Sequence, residues 1–426
     1  MIADGRLMKQ LFKPESHEKI SLLIDKGADI PNPGTIDIGA EVNVDQISGK
    51  GVKIYPGCRI YGRKTVISGG CKLGYEGPVT LEDCRLGAGV ELKGGFFSQS
   101  VFLEKTNMGM GAHVREGCIL EEQVSCAHTV GLKHTILFPF VTLGSLINFC
   151  DCLMAGGTSR SNHSEVGSSY IHFNFTPDAD KTTPSLLGDV PRGVMLNQPP
   201  IFLGGQGGII GPVRLGYGNV VAAGSILRQD YPNDNQLIFS ASRSDNVRDF
   251  RTNAYPNINR VVENNILYLA NLKALEFWYT GVRRPFLEAQ EFGSHLYSGA
   301  MEQLALAREE RFSRLAKMAR KSVSAITLEP NPESVRARQE FDGRISDLEG
   351  LLGEVLGDDK MRSTQDLFFE AFMKFRGNDS LPYIETIQKL PVDVSAKGVQ
   401  WLAGIVDDFC QRVSKIMPSM NLFRNI

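Results

Sequence analysis

The stretch Met108-Gly-Met-Gly-Ala-His-Val114-Arg-Glu-Gly-Cys-Ile-Leu120-Glu-Glu-Gln-Val-Ser-Cys126-Ala-His-Thr-Val-Gly-Leu132 decides the fold. Its apolar anchors Met108, Val114, Leu120, Cys126 and Leu132 stand six residues apart, and so do Leu203, Ile209, Leu215, Val221 and Leu227. A period of six is neither the two of an ordinary strand nor the 3.6 of a helix. An apolar residue every six positions, often followed by Gly as in Leu203-Gly204 and Leu215-Gly216, marks a hexapeptide β-helix. Three hexads make one triangular coil, so residues eighteen apart share a place on successive coils.

Outward from that stretch the period slips. Ile38 and Val44 begin it, then Ile54, Ile60 and Val66, then Leu73 and Val79, then Leu86 and Leu92. Each slip predicts a corner insertion or a change of register. The 44 glycines suit tight corners, where other residues resist the backbone angles. The expected organisation is a helical lead over residues 1–30, a hexapeptide-repeat β-helix over 31–245 and an α-helical domain over 250–426. Polar loops at about 155–181 and 189–200 interrupt the hexads, and long excursions from a rigid scaffold tend to carry function. In the last domain Val262, Ile266, Leu269, Leu272 and Leu275 keep helical spacing. Asn331-Pro332 offers an N-cap with Pro at the first helical position, and Glu310 stands four residues before Arg314. Four to six helices are expected there, with core and solvated faces, no chemistry, and Arg283-Arg284 as a solvated pair.

A chain of 426 residues is long enough for two or three domains with real cores. The formal charge of -2 gives no electrostatic reason to expect nucleic acid or an anionic membrane as partner. No apolar leader segment and no run near ~18 apolar residues is present, so the cytoplasm is the expected compartment. The eight cysteines include no CxxC, and Cys150-Asp-Cys152 is the one close pair, so they read as structural.

Arg115 follows Val114 and Lys133 follows Leu132, and 133 − 115 = 18, one full coil. The two cations should therefore stack on one edge, about 4.8 Å apart along the coil axis. Such a pair needs either a carboxylate neighbour or a bound phosphate. The polar loop adds His163, Glu165, His172, Asn174, Asp178 and Lys181, among which a His beside a Glu suits a general base. His113, His128 and His134 are candidate metal ligands, but His128 and His134 are one hexad apart and belong on different faces.

The segment Ala112–Arg243, roughly a third of the chain, resembles the acetyltransferase domain of the bacterial bifunctional glucosamine-1-phosphate acetyltransferase/N-acetylglucosamine-1-phosphate uridylyltransferase family. The resemblance rests on Ala112-His-Val-Arg115-Glu-Gly117 through Leu132-Lys133, Ile171-His-Phe-Asn174-Phe, Phe202-Leu-Gly-Gly205, Gly211-Pro-Val-Arg-Leu-Gly216 and Ala222-Ala223-Gly224-Ser225. It implies a left-handed β-helix acting as a homotrimer, with active sites between subunits. Arg115 and Lys133 match the family's sugar-phosphate ligands, Asn174 its substrate segment, and Lys181 replaces a nearby lysine. Ser168, Gly205 and Ala223 match positions along the acetyl-CoA groove, and Arg243 a basic residue near the cofactor's phosphates. The departures are specific. Ser145 stands where the family has its catalytic histidine, Asn148 replaces a tyrosine and Glu165 an asparagine, while an insertion at about 157–163 brings in His163. Nothing resembles the Gly-rich nucleotide loop of the uridylyltransferase half.

The resulting expectation is transfer of an acyl group, in the first instance acetyl, from acetyl-CoA to an amino-sugar phosphate such as glucosamine-1-phosphate. His163, or else His172, would be the base, and no metal would be needed. The rivals are a non-catalytic trimeric scaffold that binds sugar phosphate or sugar nucleotide, with a helical partner-docking domain, and a zinc lyase.

Overall fold

Inward hexad residues fall into three columns, because each short strand pairs in parallel with the strand one turn later. A computed structural model describes residues 14–240, 247, 250, 252–324, 326, 331–354, 359–377 and 381–423. On the first face Met108, Cys126, Leu143, Val166, Leu203 and Val221 stack in register. The second face stacks Phe97, Val114, Leu132 and Phe149, and above them His172, Ile209 and Leu227. The third stacks Ile67, Leu86, Phe102, Leu120, Leu137, Met154, Leu187 and Leu215. The chain is therefore a parallel β-solenoid of about eleven turns followed by a helical region. All ten hexad residues of the two unbroken runs are buried.

The first face is a separate ten-stranded sheet, whereas the other two join into one of sixteen strands. They join because strands Val130–Leu137 and Ile147–Met154 run continuously round the corner between them. His134 (φ 46°) and Asp151 (φ 59°) make that corner in the left-handed region. These turns are one residue short, so Leu132 is followed by Leu137 and Phe149 by Met154 as inward residues.

Where Gly follows a first-face anchor, as after Met108, Leu143, Val166 and Leu203, it has a steric cause. A Cβ on Gly204 would sit 2.3 Å from the Ala223 nitrogen, and one on Gly167 would sit 2.5 Å from the Gly205 nitrogen. Successive turns approach too closely there for a side chain.

Helix Pro14–Asp25 precedes the first turn and turns Ile20 and Leu23 inward, leaving Leu22 and Ile24 exposed. At the other end, helices Ile258–Trp278, Arg284–Glu288, Gly293–Ser324, Pro332–Gly343, Ile345–Gly353, Asp359–Arg376, Tyr383–Gln388 and Val392–Ile416 exceed the four to six expected. The Asn331 side chain accepts from the Glu333 amide and so caps its helix. The helices do not form a separate body. Val101, Ile119, Ile136 and Leu153, which face outward on the third face, share one apolar core with Val262, Ile266, Leu269 and Trp278. The solenoid interior is a second core.

Buried polar contacts fix this docking. Arg283 is not a solvated residue, because its side chain is only 1% exposed and ion-pairs with Glu122 at 2.5 Å. It also lies 3.6 Å from Glu121 and 4.0 Å from the Tyr383 ring centre. Only Arg284 of that pair is exposed, next to Glu288. The short stretch Tyr279–Arg283 is wound as π-helix, and Tyr279 donates to Glu121 at 2.5 Å. Arg85 meets Glu302 at 2.9 Å, and Arg311 meets Asp151 at 2.8 Å.

Candidate functional site

The stacked cations stand as the eighteen-residue spacing requires. His113 pairs with Gly131 and Val114 with Leu132, and the Arg115 amide donates to the Leu132 carbonyl, so Arg115 and Lys133 occupy consecutive turns. Both follow the second face, at its edge with the third. Arg115 is exposed, while Lys133 is half-buried and paired with Glu116 at 2.7 Å. Burial pushes the Glu116 carboxyl up, but the bond and charge of Lys133, a backbone hydrogen bond and His134 together bring it net downward. A carboxylate neighbour thus holds one of the two cations in this structure.

One residue further along, the same edge carries Glu116, His134, Asp151 and Asn174 on successive turns. Burial, aided by Arg311, lowers the His134 pKa to about 4, so this imidazole is neutral at pH 7. Asn174 is exposed, and its carbonyl oxygen accepts from the Thr183 hydroxyl. Lys181 is exposed with φ 60°, and its carbonyl accepts from Arg311 at 3.0 Å.

At the opposite edge of the second face, where the first face ends, Ser145, Ser168, Gly205 and Ala223 form another register column. The Ser145 amide donates to the Ser168 hydroxyl at 3.2 Å. A Cβ on Gly205 would meet the Ser168 carbonyl at 2.7 Å, so this edge is backbone-lined. Between the two edges the face has Gly131 and Gly208, with Asn148 exposed above Gly131. Arg243 lies outside the described residues.

The two histidines expected to serve as base are not on this surface. His172 occupies an inward hexad position above Phe149 and below Ile209, 3% exposed. Its Nε2 lies 2.8 Å from the Ser185 hydroxyl, and burial pushes its pKa down to about 3. His163 sits on the excursion between the third and first faces. Its Nδ1 is 2.8 Å from the Arg160 carbonyl and its Nε2 is 3.6 Å from Glu165. Arg160 in turn donates to the Phe140 carbonyl at 2.8 Å, which places this loop at a different edge from Lys133.

One histidine does adjoin Ser145. His128 stands one turn below, with Nδ1 2.8 Å from the Ser145 hydroxyl, and its ring is exposed. The sequence considered His128 only as a metal ligand. The spacing from 128 to 145 is seventeen, one short turn, so an eighteen-residue rule passes over it. His113 stacks against Phe96 and His134 faces the helices, so the three histidines do not converge. Among the described residues no group of His, Cys, Asp or Glu is arranged to hold a metal ion. The cysteines are free thiols, buried except for half-buried Cys150. No helix among the described residues is long and apolar enough to cross a membrane.

His172 offers a clean test of its inward placement. Unfolded, it titrates near ~6.5. Folded, it stays neutral down to about 3, so the unfolded chain binds the extra proton between those values. Its contribution to stability is intact above ~6.5 and falls progressively with pH below that. His172→Leu keeps an inward apolar residue and removes this acid penalty. Its unfolding midpoint, relative to wild type, should rise between pH 8 and pH 5 in thermal scans. An equal difference at both pH values would mean that the histidine is solvated.

No protein-family model matches the chain. The chain is 26% identical over 217 residues to the bifunctional protein GlmU of Thermotoga maritima, covering 50% of this chain and 42% of that protein. It is 26% identical over 249 residues to GlmU of Carboxydothermus hydrogenoformans, covering 58% and 50%. With GlmU of Trichlorobacter lovleyi the identity is 28% over 213 residues, covering 50% and 41%. The chain spans half or less of the length of these curated relatives. Over about half of its length, the chain is therefore a homologue of the GlmU proteins.

Proposed function

We propose that the second face of the solenoid transfers an acyl group from a CoA thioester, acetyl-CoA first among them, to an amino-sugar phosphate of the glucosamine-1-phosphate type. The observation that carries this reading is one strip with a stacked Arg115/Lys133 pair at one edge and the Ser145–His128 contact at the other. Arg115 and Lys133 would hold the phosphate, with Glu116 yielding Lys133 to it. Asn174 and Lys181 would complete the acceptor grip. Ser168, Gly205 and Ala223 offer a side-chain-poor edge along which the extended acyl donor would lie.

The acceptor amine attacks the thioester carbonyl, a C–N bond forms, the C–S bond breaks and CoA leaves as thiolate. His128 takes the proton released by the amine, and Ser145 orients its ring from Nδ1, leaving Nε2 toward the substrate. Holding phosphate and thioester on one rigid strip makes the encounter an oriented one. His163 reaches this strip only from a neighbouring subunit, as a homotrimer with intersubunit sites would bring it.

The test is acceptor kinetics, followed by release of CoA thiol. Lys133→Ala should raise the KM for glucosamine-1-phosphate about tenfold or more, the equivalent of one lost charge-assisted contact, and leave the KM for acetyl-CoA in place. Equal changes in both constants would remove Lys133 from the phosphate grip. Acceptor binding without thiol release would favour the non-catalytic scaffold.

A further inference from the structure

We infer that helix Gly293–Ser324 belongs to the acceptor site, as the brace that sets the loop 174–183. This rests on the reading above that Asn174 and Lys181 meet the acceptor. The loop leaves the second face after Phe173 and rejoins the third at Ser185, so the solenoid ladder holds only its two ends. Between them, the loop is held from the C-terminal region, in part by Tyr255, which donates to Asp180 at 2.9 Å, and by Asn265, which donates to the Thr182 carbonyl at 3.2 Å. Arg311 donates to the Lys181 carbonyl at 3.0 Å, Lys317 to the Ala179 carbonyl at 2.9 Å, and Lys321 to the Asp178 carbonyl. The Thr182 hydroxyl meets the Met318 sulfur at 3.3 Å. Arg311, Lys317, Met318 and Lys321 fall within about 120° of the helix circumference, so one side of one helix meets Asp178, Ala179, Lys181 and Thr182.

Arg311 ties the brace to the cation edge itself. It is buried, and its other terminal nitrogen lies 2.8 Å from Asp151, in the column between His134 and Asn174. The guanidinium fork therefore spans the corner turn beside Lys133 and the loop residue Lys181. That fork geometry suits positioning, since a lysine has no second arm. The loop also needs help: Ala179 and Lys181 both have φ near 60°, a conformation that costs energy in non-glycine residues. Arg311 is thus a positioning residue. It acts through Asn174 and Lys181 and does not touch the acceptor.

The experiment uses the full chain with the double variant Lys317→Ala/Lys321→Ala, whose side chains are half-buried against the loop, and separately Arg311→Lys. Acceptor KM, acetyl-CoA KM, unfolding midpoint and amide hydrogen exchange across 174–183 are measured together. The double variant should raise the KM for glucosamine-1-phosphate about tenfold, as expected for ~1.4 kcal/mol of lost preorganisation. The acetyl-CoA KM and the midpoint should stay at wild-type values, and faster exchange should be confined to the loop. Arg311→Lys, which keeps the charge beside Asp151 but loses the second arm, should also raise the acceptor KM. Wild-type turnover with an unchanged acceptor KM in both variants would overturn the brace. No thiol release by the wild type, with faster loop exchange in the double variant, would instead sink the acceptor reading and leave only a held loop.

Discussion

Arg283→Met is expected to destabilise the chain at pH 8 by about 3–5 kcal/mol, since it leaves two buried carboxylates without their cation. Glu121 and Glu122 adjoin each other on the third face, both buried, and Arg283 reaches each of them. Burial already raises the Glu121 pKa to about 7 with Arg283 in place. Its folded value is above the ordinary carboxylate value, so its protonated form contributes stability that is full below ~4.5 and is lost as pH rises through about 7. Removing the guanidinium raises that folded value further. The deficit of Arg283→Met should therefore be largest at pH 8 and shrink toward pH 5, where the Glu121 carboxyl takes up its proton. Denaturant titrations at the two pH values measure this directly. A deficit under ~1 kcal/mol at pH 8 would be the size of a surface pair and would contradict a buried junction.

His128→Ala should lower kcat about 10²–10⁴-fold, the usual worth of a positioned general base. The KM values for both substrates should move little, because the imidazole touches neither the phosphate nor the bulk of the donor. His163→Ala is the control that separates the two histidines. If only His163→Ala abolishes turnover, the base comes from a neighbouring subunit's insertion and His128 merely bonds Ser145. Ser145→Ala should cost less than His128→Ala, since it removes only the orienting bond at Nδ1.

The fold was legible because period six has no common competitor: Met108 to Leu132 and Leu203 to Leu227 all point inward. The early turns were read less well: Val66 is buried, but Ile67 holds the inward position one residue later. An apolar residue beside the inward one confuses the register wherever both sides of a strand are covered. On the third face that same doubling is a signal that was overlooked. Val101-Phe102, Ile119-Leu120, Ile136-Leu137 and Leu153-Met154 are adjacent apolar pairs because helices cover the outside of that face. A strand with one wet face alternates; one buried on both faces does not. The burial of Arg283 follows from the same packing and left no trace in local sequence, because its partners lie about 160 residues earlier.

The site was legible where spacing obeyed the coil and obscure where it did not. Arg115 and Lys133 span an eighteen-residue turn and stack as expected. His128 and Ser145 span a seventeen-residue turn, so the contact between them was missed. His172 looked available because it lies in a polar, Gly/Ser-rich stretch, yet strand alternation between exposed Ile171 and Phe173 turns it inward. A histidine in a polar stretch reads as a solvated base until its register is known.

This strip is proposed to join an acyl group to an amine held by its phosphate. Its most direct test is to incubate the purified chain with acetyl-CoA and glucosamine-1-phosphate, and to measure CoA thiol and N-acetylated sugar phosphate together. Equal amounts of the two products, abolished by His128→Ala and requiring far more acceptor in Lys133→Ala, are predicted. Sugar-phosphate binding with neither product, across a panel of acyl-CoA donors and amino-sugar phosphates, would contradict it.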